Sequence, residues 1–173
     1  MVKIIYKEGC EGQNRLESIE GIEIELLNGQ KALIYPKYAE RVLLKSEKIK
    51  YYEQGPDTEI SALKKTDNLR ATRELDICGS PAVEFVSIFR SDKHGIFALP
   101  TLLAAMEIQD QKKDIDVLAE TIEGADLLCN FTHDVWTCSR YNDNLGWIAV
   151  GSFGFADKNY LCGSALAVPT ILY

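Results

Sequence analysis

Residues 21–35 constrain the fold more than any other stretch of this chain. Ile22, Ile24 and Leu26 alternate with Glu23 and Glu25, the period-two pattern of a strand with one face in the core and one in water. Asn28-Gly29 follows, the pair favoured in a type I′ turn, whose two central residues both need positive φ. Ala32-Leu-Ile-Tyr35 then returns as the partner strand, and Pro36 ends it because proline cannot donate to a ladder. The N-terminal end is therefore committed to antiparallel sheet, with residues 1–6 as a further strand at its edge. Glu17, Glu20, Glu23 and Glu25 are expected on the solvated face.

Downstream the pattern changes twice. Residues 37–73 are less regular: Val42-Leu-Leu44 is a short apolar run, Gly55-Pro56 is turn punctuation, and residues 53–72 are polar enough to read as a long surface loop with one helical turn near Ser61. Ser80-Pro81 then supplies a capping oxygen and a proline at the first helical position. Ala82, Phe85, Val86 and Phe89 follow at helical spacing, with the helix ending by residues 93–95. After the short apolar run 96–99, Pro100-Thr101 opens another helix, with Leu102, Leu103, Met106 and Asp110 on one side. Residues 113–122 carry Ile115, Leu118, Ala119 and Ile122 at the same spacing, before Gly124 as a C-terminal cap. Beyond Leu128 the chain reads as β, with strands at 135–138, 146–150, 153–155 and 165–173 and turns at 142–144 and 157–159. Hairpin, loop, helices, then strands is the order of an α+β fold. The expectation is a single domain over 1–173: two or three helices on a central antiparallel sheet, with the hairpin and loop in 1–79 and the core in 80–173.

Charge and composition exclude several roles. A net charge of −7 over 173 residues opposes nucleic-acid binding, which needs clustered Lys and Arg, and opposes docking on an anionic membrane. No run reaches the eighteen or so apolar residues of a membrane span, and the N-terminal residues lack the apolar segment of an export signal. The expected setting is cytoplasmic or within a phage particle. Five cysteines (Cys10, Cys78, Cys129, Cys138 and Cys162) with no Cys-x-x-Cys pair read as reduced thiols.

One family shares the motif order of the C-terminal half. Gly95-Ile-Phe-Ala-Leu-Pro-Thr101, Met106-Glu107, Lys113-Asp-Ile-Asp-Val-Leu118, Glu123-Gly124, Trp136-Thr-Cys-Ser-Arg140, Trp147, Phe155 and Val168-Pro169 fall in sequence. With these residues, 80–173 resembles the C-type-lectin-like domain found at the end of a bacterial collagen-like adhesin and in paralogous surface or phage-associated proteins. The chain departs from that pattern where Arg140 replaces a glutamate, Ala167-Val168 an arginine, and Gly154-Phe155 an aspartate-glycine. The resemblance implies a C-type-lectin-like fold with two helices flanking an antiparallel sheet, and a non-enzymatic module that binds protein or glycan. The residues it places on the display surface are Arg140, Tyr141, Asn142, Asp143, Asn144, Trp147, Phe153, Phe155, Lys158, Asn159 and Tyr160.

Other chemistries are thin. Cys129, His133 and Cys138 form a C-x3-H-x4-C run, but a tetrahedral zinc site needs a fourth ligand. Asp143, Asn144 and Asp157 fall short of the six to eight oxygens of calcium. His133-Asp134 beside Cys138 and Ser139 is too little for a nucleophile with an oriented base. No catalytic residue, metal or cofactor is expected; the partner is an unknown protein or glycan, and self-association is left open. The alternatives are a structural subunit of a phage particle and a small enzyme or metal protein using residues 129–138.

Overall fold

The computed structural model describes residues 1–44, 57–75, 79–131, 134–141, 145–150, 155–160 and 163–173. Two sheets carry the architecture. The first has four antiparallel strands in the order β1 (Lys3–Tyr6), β2 (Ile19–Glu25), β3 (Lys31–Ile34) and β11 (Thr170–Leu172). The second has five, in the order β4 (Ala39–Leu43), β10 (Ser164–Ala167), β7 (Val135–Arg140), β8 (Leu145–Val150) and β9 (Phe155–Tyr160). Its β10–β7 contact is parallel and its other ladders are antiparallel. A two-stranded ribbon of β5 (Arg90–Ser91) and β6 (Gly95–Ile96) lies apart. The halves of the sequence interleave: β4 joins the second sheet, and β11 returns to the hairpin of the first.

The expected hairpin is β2–β3, paired Ile22↔Ile34 through Glu25↔Lys31 with β1 at its edge. Its turn is not type I′. The Leu26 carbonyl accepts from Gly29 N–H, Leu26 N–H donates to Gln30 O, and only Gly29 has positive φ (83°). That is the longer loop of a tight turn followed by a left-handed glycine. Asn28 stays in ordinary backbone space because its Oδ1 accepts from Gln30 N–H at 3.1 Å, a local bond that makes a second positive φ unnecessary.

The described residues form five α-helices: α1 (Glu59–Leu63), α2 (Asn68–Leu75), α3 (Pro81–Ser87), α4 (Leu102–Asp110) and α5 (Lys112–Ala119). Ser80 Oγ caps α3 through Val83 N–H, and Thr101 Oγ1 caps α4 through Ala104 N–H. Both caps were readable because capping is local. The buried side of α4 is Leu102, Ala104, Ala105 and Ile108, with Asp110 exposed, so the inward stripe is rotated from the expected one. Small alanines let α4 lie close against β7 and β8. α1 is the helical turn expected near Ser61, and α2 replaces part of the expected surface loop. α2 escapes notice because its buried side includes Asn68 and Thr72, which bond to backbone rather than pack. Asn68 Nδ2 donates to Leu99 O and Thr170 O, its Oδ1 accepts from Leu172 N–H, and Thr72 Oγ1 accepts from Leu99 N–H.

The core is split by the second sheet. On one face Val135, Ala149 and Leu166 meet Ile22, Ile24, Ile34, α4 and α5. On the other, Trp136, Cys138, Ile148, Ala165 and Ala167 pack on Ala71 and Leu75 of α2 and Ala82, Val83 and Val86 of α3. Alternate residues of β7 thus serve different cores, which explains why both faces of that strand are buried. Two glutamates expected in water are not there. Glu20 and Glu23 are 1% and 6% exposed, because the turn of the β5–β6 ribbon meets Glu20 through Asp92 N–H, and Tyr173, Lys3 and Lys31 close around Glu23.

Candidate functional site

The candidate site lies where the second sheet runs out of cover, on β7, β8 and β9. β7 is the fixed end. Trp136 is fully buried, and its indole N–H donates to Val42 O at 2.7 Å. The pairing of β7 with β8 shifts register between Trp136 and Arg140, the mark of a bulge. Within that bulge Thr137 Oγ1 donates to Trp147 O at 2.8 Å, and Cys138 N–H donates to Pro100 O at 2.8 Å. The Leu-Pro-Thr run before α4 and the Trp-Thr-Cys run of β7 are therefore bonded to each other.

Trp147 on β8 is the anchor. It is 2% exposed and packs on Ala62 of α1 and Leu102 of α4. Its indole N–H donates to Asp57 O at 2.9 Å, Asp57 N–H donates to Arg140 O at 2.7 Å, and the Asp57 carboxylate pairs with Lys65 at 2.6 Å. Tyr141 stands edge-on to Trp147 with ring centres 5.5 Å apart, the orientation aromatic quadrupoles prefer. Lys158 pairs with Trp147 in the β8–β9 register and so shares its face. Its ammonium sits 4.3 Å from the Tyr141 ring centre and 5.1 Å from that of Trp147. Such cation–ring contacts are worth roughly 0.5–1 kcal/mol at an exposed site. The lysine thereby closes the aromatic pair from outside.

β9 itself is open. Its burial alternates weakly, and Phe155 and Tyr160 at its ends are 63% and 64% exposed. Phe155 pairs with Val150 and Tyr160 with Leu145, so the two rings stand on opposite faces of the sheet. Asp157 Oδ1 accepts from Lys158 N–H at 2.8 Å, and Asn159 Nδ2 donates to Ser164 O at 3.2 Å.

Of the display residues expected from the sequence, Tyr141, Trp147 and Lys158 come together, and Phe155, Lys158 and Tyr160 are open to a partner. Asn142, Asp143, Asn144 and Phe153 lie outside the described residues. Two expectations are corrected. Arg140 is 6% exposed and Trp147 is covered, because β7 and the inner part of β8 are packed on both faces. Residues 157–159 are not a turn but the middle of β9. Their polar side chains mark a strand at a solvated edge. Asp57 and Lys65, which brace Trp147, were missed, since nothing local links them to residue 147.

The thiols and hydroxyls near β7 are poorly placed for attack or ligation. Cys138 is buried, and desolvation pushes its thiol up to about 12. Cys129 is exposed, and its hydrogen bond with Asp116 raises its pKa; both effects disfavour the reactive thiolate. Ser139 is fully buried, and its Oγ has no partner among the described residues. His133 lies outside the described residues. Among the described residues no group of three or more His, Cys, Asp or Glu could hold a metal ion, and no helix is long and apolar enough to cross a membrane.

No protein-family model matches the chain, and no curated protein or solved structure matches it.

Proposed function

We propose that the chain is a non-enzymatic binding module of C-type-lectin-like type that meets its partner, a protein or a glycan, with the edge strand β9, which carries one exposed ring on each face. The observation that carries this reading is the pair of exposed aromatic rings, Phe155 and Tyr160, set on a strand whose neighbours are fixed by buried contacts. Large rings in water at rigid positions are the residues that dominate binding energy, because they bury much area and lose little entropy. The C-type-lectin-like part of the proposal draws on the motif order of residues 80–173 and on the consecutive helices α4 and α5 beside antiparallel strands. Trp147 and Tyr141 support the surface from beneath rather than contact the partner.

The test is a glycan array and a pull-down with folded protein, with and without calcium, set against the variant Phe155→Ala with Tyr160→Ala. Binding to a defined glycan or protein that falls by at least tenfold in the variant, with unchanged circular dichroism, is the expected result. Equal binding by the variant removes this surface from the function.

A further inference from the structure

The outer edges of the two large sheets are treated differently. β11 is covered: Thr170 exchanges both backbone bonds with Ala98, and Asn68 takes Thr170 O and Leu172 N–H. β1 breaks register between Ile5 and Tyr6. β4 is bent by Arg41, at φ 57°, and its pairing with β10 also shifts register. These are the usual devices that stop an edge from templating another strand. Among the described residues β9 has no cover, bend or register break, and only the charges of Asp157 and Lys158 guard it. It keeps register with β8 through all six pairs, Leu145↔Tyr160 to Val150↔Phe155, and among the described residues it pairs with no other strand.

The backbone groups on its open side can be named. Leu145 O accepts from Tyr141 N–H, and Trp147 O accepts from Thr137 Oγ1, so both β8 residues turn toward β7. Their partners on β9, Tyr160 and Lys158, therefore form non-hydrogen-bonded pairs with β8 and, with Ala156, aim their N–H and C=O groups outward. Two of these groups are already held. Lys158 N–H is bonded by Asp157 Oδ1, and Tyr160 O accepts from Gly163 N–H. Among the described residues both groups of Ala156, the carbonyl of Lys158 and the N–H of Tyr160 have no backbone partner and remain for a visitor.

We infer that β9 receives an extended segment of a different polypeptide as a sixth strand of this sheet. The inference rests on the binding role proposed above and narrows the partner to a peptide strand. A second copy of β9 is disfavoured by the pleat. Opposite residues of an antiparallel pair share a face, so two-fold self-pairing with the longest overlap places either Asp157 against Asp157 or Lys158 against Lys158, and like charges directly opposite are destabilising. A foreign strand with an acid opposite Lys158 and a base opposite Asp157 meets complementary charge at the centre. Apolar side chains at its ends then meet Phe155 and Tyr160. Backbone bonds supply the affinity of strand addition, and alternate side chains supply its selectivity.

Two synthetic peptides of one composition test this by amide NMR at millimolar concentration. Val-Thr-Glu-Lys-Val-Tyr, laid antiparallel, places Glu across from Lys158 and Lys across from Asp157. Val-Thr-Lys-Glu-Val-Tyr reverses both pairs. The first should slow hydrogen exchange at the Ala156 and Tyr160 amides and bind about tenfold more tightly than the second, from two favourable pairs exchanged for two repulsive ones. Equal affinity for the two peptides, or no protection at those amides with either, overturns strand addition. A glycan hit lost in the Phe155→Ala, Tyr160→Ala variant, with neither peptide bound, would overturn strand addition while leaving the binding module intact. Peptide protection that survives in that variant supports the strand mode and removes the aromatic rings from it.

Discussion

The β2–β3 ladder of the first sheet and the β8–β9 ladder of the second start from similar materials and use them in opposite ways. Each holds at least one acid and a lysine across unbroken antiparallel register, with an aromatic ring at hand, Tyr173 beside the first and Tyr160 on the second. In the first, Glu23 is enclosed: Lys3 and Lys31 approach it at 3.2 and 3.3 Å, and the Tyr173 hydroxyl donates to it. The Tyr173 ring in turn stacks on His94, with centres 4.0 Å apart. In the second, Asp157 accepts from the Lys158 N–H, its one hydrogen bond among the described residues, and Lys158 rests on rings while remaining in water. The difference is one of position. β2 is a central strand covered on both faces, whereas β9 is an edge. Where neighbours close around a charged group, as at Glu23, the residues hold the fold together, and where they leave groups open the residues are available for recognition.

The largest effect expected comes from Asn68→Ala, which removes the clamp joining α2 to Leu99 and β11. It leaves the Leu172 N–H unpaired, at about 1–3 kcal/mol, and takes one of two donors from each carbonyl, since Thr170 O keeps Ala98 N–H and Leu99 O keeps the Thr72 hydroxyl. Urea unfolding should register a loss of about 2–3 kcal/mol, and a change near zero would mean that water replaces the side chain.

Glu23→Gln should be milder, costing about 1–2 kcal/mol at neutral pH, and its pH dependence is the sharper measurement. Burial raises the Glu23 pKa, but the bonds from Tyr173, Lys3 and Lys31 outweigh it and hold the carboxyl below its ordinary 4.5. A depressed carboxylate stabilises the native state above its unfolded pKa, and that contribution is lost as pH falls through the lower folded value. The wild type and Glu23→Gln curves should therefore converge below pH 4.5. At the alkaline end Cys138 works in the opposite sense. Its thiol, raised from 9.0 to about 12, contributes fully below pH 9, and the contribution is lost as pH rises toward 12. Cys138→Ala should flatten that limb of the stability curve.

Changes on β9 should barely alter stability. Phe155→Ala with Tyr160→Ala should fall within about 0.5 kcal/mol of wild type, as for most surface substitutions; a larger loss would make these rings structural and erase the contrast with β2–β3. Asp157→Ala with Lys158→Ala removes the like-charge barrier, and sedimentation should detect dimers absent from the wild type at equal concentration. If both proteins remain monomeric, the charges do not guard the edge.

Local chemistry was legible in the sequence, and its limits can be seen residue by residue. Ser80 and Thr101 announced α3 and α4 because a capping oxygen reaches only three residues along its own chain. The β2–β3 hairpin was legible through alternation, but its turn type was not: the Asn28 side chain bonds Gln30 N–H, and that choice is invisible in the pair Asn-Gly. α2 stayed hidden because Asn68 and Thr72 face inward to bond Leu99 and Thr170, which breaks an apolar stripe. Of the residues expected on a display surface, Phe155, Lys158 and Tyr160 are exposed, whereas Arg140 and Trp147 lie in the core.

What the sequence determined by itself is the set of elements whose signals are local: the N-terminal hairpin, the capped helices, and the β-rich C-terminal region of a mixed α+β chain. Tertiary structure decided which faces those elements show to water. β11 had to return beside β3 before Tyr173 could reach Glu23, and β4 had to enter the second sheet before Val42 O could receive the Trp136 indole. Burial belongs to contacts between residues far apart in the chain, so the same alternating pattern can yield a closed strand at the centre of one sheet and an open one at the edge of another.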